Sequence, residues 1–293
     1  MKKYVVSWLM FCVVAGSAAT LAAQSSAMAP PKVLVVTREF VKPGKSGTPH
    51  VKTESAFVQA NVAAKWPTRY LGTDAITGPV RSVFFVGYES FEAWDKDMQA
   101  TQANATLSAA LDKAYIADGE LLSGMETNVF VYREDLRLNA NGGIAKMRYF
   151  EVSRFKVRQG HEKEWEALVK IYIDGYTKAV PTGHWAMFEG QYGSNTGDAF
   201  VVITPMKSLA EVDSGFGDSK KFMAQVGEDG MKKLAELSAS CLESVDSNVL
   251  AFNPKMSYPR DEWVKEDPGF WKPKPTATPA KKPEAKPDAK PTQ

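Results

Sequence analysis

Met147–Tyr192 reads MRYFEVSRFKVRQGHEKEWEALVKIYIDGYTKAVPTGHWAMFEGQY, and it shows a complete strand–helix–strand unit. Met147–Val157 is rich in β-branched and aromatic residues and predicts a strand. Gly160 supplies the turn. From Glu162 onward, Trp165, Leu168, Val169, Tyr172 and Tyr176 fall on one stripe of period 3.6, the mark of a helix laid against a core. His184–Tyr192 returns to strand character. Beyond it, Gly193–Gly197 predicts a polar hairpin turn, Phe200–Thr204 a strand, and Ser208-Leu209-Ala210-Glu211 a capping box that opens the next helix. Lys232–Val245 extends that helical region, and Val249–Phe252 is a closing strand.

The same order of elements occurs earlier in the chain. Val36-Thr37-Arg38 aligns with Val152-Ser153-Arg154 at an offset of 116, which also places Val41 on Val157 and Gly44 on Gly160. Pro67-Thr68 matches Pro181-Thr182 at offset 114, Ser90 matches Ser208 at 118, and Glu126-Thr127-Asn128-Val129 matches Asp246-Ser247-Asn248-Val249 at 120. Landmarks in one order with a drifting offset are what duplication plus loop insertions produces. In the first copy the predicted elements are strand Lys32–Val41, helix Ser55–Lys65, strands Arg69–Ile76 and Val80–Tyr88, helical sequence Phe91–Ala117, and strand Val129–Tyr132.

Each copy therefore reads β-α-β-β-α-β, the ferredoxin-like split unit. Its helices cover one sheet face, and the other apolar face needs a cover of its own. Two copies in one chain can shield each other. The fold class expected is α+β, with two tandem ferredoxin-like units packed as a pseudo-dimeric α/β barrel. The expected divisions are 1–29, a signal peptide; 30–138 and 139–259, the two repeats; and 260–293, a connector and Lys/Pro/Ala-rich tail.

Phe40-Val41-Lys42-Pro43-Gly44-Lys45, and Phe155-Lys156-Val157-Arg158-Gln159-Gly160-His161 ahead of its helix, resemble the first strand and turn of dimeric α/β-barrel proteins. The NIPSNAP-like and antibiotic-biosynthesis-monooxygenase-like members are the nearest. The resemblance spans about residues 32–257. It implies a cavity between sheet and helices, and membership in a group of small monooxygenases, haem-binding enzymes and many proteins of unknown role. It carries no shared catalytic motif, so no functional residue transfers.

The chain ends point to export. Lys2 and Lys3 precede an apolar run from Val5 to Ala15, followed by small residues up to Ala27-Met28-Ala29, the layout of a secretory signal. The protein is accordingly expected in the periplasm or outside the cell. Lys272–Gln293 has no large apolar residue and is expected to be a solvated, extended tail. It serves either as a spacer or as a contact with an anionic envelope surface. Removing Lys2, Lys3 and the net +4 of the tail from the formal +2 leaves −4 across residues 4–271, which is no footprint for nucleic acid. Cys12 lies in the leader, so Cys241 would be the single mature thiol, expected to be buried and inert.

Candidate chemistry is sparse. Gly44-Lys45-Ser46 lacks the glycine a phosphate loop needs at position 39, which is Glu39. His161-Glu162 is followed by Trp165 where a zinc-protease motif needs His. His50 and His161 are expected as solvated loop residues, and no metal site is expected. His184, beside Trp185, is the candidate catalytic base or haem ligand, and otherwise a hydrogen-bonded structural residue. Arg38 and Arg154 recur at matching positions, either to hold an anionic ligand or to form salt bridges. Tyr70, Tyr88, Trp94 and Trp185, with Arg69, are candidates for lining a ligand pocket. The leading expectation is a non-catalytic exported protein, a monomeric pseudo-dimer or homodimer, that binds a small apolar or aromatic molecule or a protein partner. The alternative is a barrel-type oxidoreductase, cofactor-free or haem-dependent.

Overall fold

The computed structural model describes residues 29–140, 143–194 and 196–272. The segment expected to be a signal peptide, apart from Ala29, and the tail beyond Lys272 lie outside the described residues. The first repeat contains β1 (Val33–Val41), α1 (Thr48–Ala64), β2 (Tyr70–Ala75), β3 (Arg81–Tyr88), α2 (Phe91–Ala103), α3 (Ala105–Gly119) and β4 (Leu122–Tyr132). The second contains β5 (Tyr149–Val157), α4 (Glu162–Ala179), β6 (Ala186–Tyr192), β7 (Ala199–Met206), α5 (Ala210–Cys241) and β8 (Leu242–Phe252). Two short helices, α6 (Asp261–Glu266) and α7 (Pro268–Trp271), follow.

All strand pairings are antiparallel, and they close into one barrel of order β1-β3-β2-β8-β5-β7-β6-β4. Each half-sheet would end in open edges by itself. The edges are joined to the opposite repeat, with Thr73 facing Phe252 at one seam and Tyr132 facing Phe188 at the other. The duplication is visible in detail. A β-bulge falls between Phe40 and Val41 and again between Lys156 and Val157, and Gly44 and Gly160 both take positive φ (76° and 83°) in the following turn. A left-handed backbone there suits glycine.

Period-2 alternation divides each strand between two faces. Leu34, Leu71, Phe85, Phe130, Phe150, Phe188, Ile203 and Leu250, one from each strand, meet inside the barrel. The connector joins them: Trp271 packs among these side chains, and its Nε1 donates to the Ala145 carbonyl at 2.8 Å. The outer face of the second half-sheet packs on α4 and α5 through Phe155, Trp165, Tyr172, Tyr176, Phe200 and Phe222. Cys241 is fully buried in the same cluster, and burial pushes its thiol up to about 11, so it is an inert core group.

Several boundaries differ from the sequence expectation for local reasons. α1 starts at Thr48 instead of Ser55, because Pro49 occupies the first helical turn, where its missing N–H costs nothing. The helical stretch after Phe91 is two helices, broken at Asn104, whose side chain accepts from the Leu107 N–H to cap the second. β4 and β8 are longer than expected, and β8 takes Leu242–Val245 from the predicted helix. The predicted capping box is shifted: Glu211 accepts from the Lys207 N–H at 2.9 Å. No helix among the described residues is long and apolar enough to cross a membrane.

Candidate functional site

The two repeats treat the space between sheet and helices differently. At an offset of 115, the buried positions of α1 and α4 coincide: His50 with Trp165, Glu54 with Val169, Phe57 with Tyr172, and Asn61 with Tyr176. In the second repeat these positions complete a solid aromatic core. Tyr172 and Phe222 stack at 5.0 Å between ring centroids, and Tyr176 and Phe222 at 4.7 Å. In the first repeat the space stays open as a cavity of about 310 Å³. Phe57, Tyr70, Phe84, Tyr88 and Tyr115 give it aromatic walls, and Glu39 and Glu54 reach it from the polar side.

Behind that polar wall lies a sealed ionic cluster. Glu39 comes from β1, His50 and Glu54 from successive turns of α1, and Asp118 from α3. All four are buried. His50 Nε2 stands 3.2 Å from Glu39 Oε2, 3.4 Å from Asp118 Oδ1 and 4.0 Å from Glu54 Oε1. Its Nδ1 lies 3.3 Å from Ser82 Oγ, and the Ser82 hydroxyl donates to Asp74 Oδ1 at 2.8 Å. The Thr53 hydroxyl donates to Asp118 Oδ1 at 2.5 Å. Glu54 Oε1 has no hydrogen-bond partner, and neither has the buried Tyr70 hydroxyl.

The electrostatics follow from burial. Burial, with the neighbouring charges of Glu39 and Asp118, pushes the Glu54 carboxyl up to about 9. Burial raises Glu39 as well, and its hydrogen bond to His50 only partly offsets the rise. For His50, burial opposes the charged form, but hydrogen bonds to Asp118 and Glu39 and the surrounding carboxylates outweigh it and carry the imidazole up to about 10. Glu54 and His50 therefore keep their protons near neutrality, and the donor set of the cluster also suits a metal ion. The expectation of a solvated His50 is therefore corrected: α1 begins early enough to carry His50 into the core. His161 does lie at a turn, 3.5 Å from Glu164.

Tyr70 and Tyr88 line this cavity. The Tyr88 hydroxyl donates to Asp97 Oδ2 at 2.9 Å, and Trp94 stacks on the Tyr88 ring at 6.2 Å. Arg69 turns away from this cavity, lying over the Tyr258 ring at 4.1 Å and 3.3 Å from Asp261, and lines a second cavity at the barrel mouth together with His184 and Trp185. Trp185 is buried, its Nε1 donates to the Leu136 carbonyl at 3.0 Å, and it borders the barrel-mouth cavity, not this one. His184 has its ring nitrogens 3.1 Å and 3.0 Å from the carbonyls of Thr182 and Pro205, so backbone groups occupy both. Arg38 and Arg154 approach closely enough to influence each other's charge. Each stands opposite an acid across the ladder, Arg38 facing Glu126 and Arg154 facing Asp246, and Arg38 also donates to Asn128. These arginines are away from the cavity, which is lined by the outer sheet face.

A haem needs an axial ligand with a free lone pair and room for a flat macrocycle. In the two sheet–helix spaces no histidine among the described residues offers such a ligand. Carbonyls occupy the nitrogens of His184, carboxylates surround His50 Nε2, and aromatic rings fill the second repeat's sheet–helix space. The histidines of the sheet–helix spaces do not fit a haem. Sequence reasoning missed the ionic cluster, although His50 and Glu54 at spacing i, i+4 were its visible trace.

No protein-family model matches the chain, and no curated protein sequence matches it. Solved structures do. An anthrone oxidase-like protein superposes with a TM-score of 0.50 at 14% identity, covering 76% of this chain and 92% of its own. A variant of the chlorite dismutase from Candidatus Nitrospira defluvii gives a TM-score of 0.44 at 13% identity, covering 84% and 99%. At such identities the likeness concerns fold. The closed eight-strand sheet and its neighbours agree: the chain has the dimeric α/β-barrel fold, with both halves of the dimer carried in one polypeptide.

Proposed function

We propose that the protein is an exported oxidoreductase of the barrel type, acting on a small hydroxylated aromatic molecule in the cavity of its first repeat. The observation that carries this reading is the difference between repeats. One sheet–helix space is packed solid, whereas the other is open, aromatic-walled and backed by four buried ionisable groups. An apolar pocket with a few converging polar groups of displaced pKa is what a reaction site requires. A substrate ring would lie among Phe57, Phe84 and Tyr115, and its hydroxyl would meet the unpaired Tyr70 hydroxyl and the polar wall. A dihydroxy-aromatic substrate would lose two protons and two electrons to dioxygen, giving a quinone and hydrogen peroxide. The name of the anthrone oxidase-like neighbour is in keeping with such chemistry.

The test is oxygen uptake and peroxide release with a panel of benzohydroquinones and naphthohydroquinones. Wild type should turn over at least one of them. Tyr70→Phe should lower the rate by about tenfold, the effect of losing one hydrogen bond to the reacting group. Thr101→Trp, which fills the cavity, should abolish turnover. No uptake with any member of the panel would remove the reading.

A second reading, ligand binding without catalysis, is favoured by a separate cavity of about 190 Å³ at the barrel mouth, lined by Leu34, Phe85, Phe150 and Phe188 and edged by Trp263. It is apolar enough for a hydrocarbon ligand. Displacement of a bound naphthylamine dye by fatty or terpenoid compounds, lost in Phe150→Arg, would support it. Dye binding unchanged in Phe150→Arg would exclude it.

A further inference from the structure

We propose that Glu39, His50, Glu54 and Asp118 form a binding site for one first-row divalent cation of the Mn²⁺, Fe²⁺ or Zn²⁺ type. The donor atoms stand close to where such an ion would hold them. Ligands about 2.0–2.2 Å from a common metal lie about 3.0–4.2 Å from each other. His50 Nε2 lies 3.2, 3.4 and 4.0 Å from its three carboxylate neighbours, and one donor atom from each residue lies within 4.8 Å of all the others. One imidazole with three carboxylates is too rich in oxygen for a thiolate-seeking metal, and the imidazole disfavours calcium or magnesium.

Three further features belong to a metal site. The Ser82 hydroxyl gives its proton to Asp74, so its lone pair takes the His50 Nδ1–H, and Nε2 faces the carboxylates, where a cation would replace the Nε2 proton. Metal-bound histidines are commonly oriented through their other nitrogen in this way. Glu54 Oε1, sealed from solvent on a residue only 3% exposed, has no hydrogen-bond partner and points into the cluster. A buried carboxylate oxygen without a partner is costly, and a cation would satisfy it. The cluster is also not a packing requirement. The second repeat holds Trp165 and Val169 in place of His50 and Glu54, with Leu234 and Leu237 of α5 buried in the same core.

Glu39 and Glu54 also line the first-repeat cavity, so a bound ion would sit in its wall. The inference therefore deepens the proposed oxidative function by naming an inorganic component of the same site. The two remain separable, because ion binding is read without substrate.

The full chain, stripped with a chelator, is titrated with Mn²⁺ and Zn²⁺ by calorimetry and by the Mn²⁺ paramagnetic signal, with Ca²⁺ as competitor. One ion per chain should bind, Zn²⁺ should displace Mn²⁺, and Ca²⁺ should not. His50→Gln and Glu54→Gln should weaken binding by more than about 100-fold, and Ser82→Ala, which touches only the orienting contact, by about 10–100-fold. In the wild type, either ion should raise the melting midpoint. Absence of saturable one-to-one binding by the wild type overturns the proposal. So does equal affinity in the wild type, His50→Gln and Glu54→Gln. Turnover without ion binding would leave the oxidative reading and remove the metal, and binding without turnover would do the reverse.

Discussion

His50 and Trp165 occupy equivalent turns of the first helix in the two repeats, 115 residues apart, and each is almost fully buried against its own half-sheet. One sits among carboxylates, and the other packs on Phe155 and Phe200 at 5.0 and 5.2 Å. The same scaffold therefore carries one repeat specialised for packing and one for polar chemistry. Trp165 Nε1 finds no hydrogen-bond partner in that apolar setting. Removing an orphan donor offsets part of the lost volume. Trp165→Phe should cost less than about 1.5 kcal/mol, whereas Trp165→Ala should cost about 3–5 kcal/mol, both read from denaturant unfolding.

Gly175 of α4 faces α5 with no room for a side chain. A Cβ there would stand 2.5 Å from the Phe222 ring and 2.9 Å from Val226. Phe222 cannot swing away, because Tyr172 and Tyr176 both stack on it. Gly175→Ala should therefore destabilise the protein by about 1–3 kcal/mol despite alanine's better helix propensity, as calorimetric unfolding would register.

The connector is part of the barrel. Trp271 is 3% exposed among the interior side chains, and Arg148 fixes the segment by pairing with Asp267 and lying 3.9 Å over the Phe270 ring. Trp271→Ala should cost about 3–5 kcal/mol, and the barrel-mouth cavity should then bind hydrophobic dye more strongly.

Glu151 offers a pH-dependent test. Burial raises its carboxyl from the ordinary 4.5 to about 7. The folded chain then binds this proton more tightly than the unfolded chain, so its ionisation lowers stability as pH rises from 4.5 toward 7, with the full penalty above that. Glu151→Gln should match the wild type near pH 4 and exceed it by roughly 1–3 kcal/mol at pH 8. Unfolding curves at the two pH values measure the difference.

Much of the architecture was legible in the sequence, because strand alternation, the Trp165–Tyr176 stripe and the ordered landmarks are local signals. The closure of the barrel followed from the need to cover two apolar faces. The site was harder to see. Its four ionisable residues come from β1, α1 and α3, and only the fold brings Asp118 to Glu39. Pro49 reads as a loop residue, although it opens α1 and thereby buries His50. His184 drew notice as a polar residue at a strand start, but its partners, Thr182 and Pro205, are backbone carbonyls that composition does not reveal.

The central claim is that the first repeat's sheet–helix cavity receives the aromatic ligand. The direct measurement is the set of nuclear Overhauser contacts between bound 1-naphthol and the ring protons of isotopically labelled protein. The account predicts contacts to Tyr70 and Tyr115. Contacts confined to Phe150 and Phe188, inside the barrel, would contradict it.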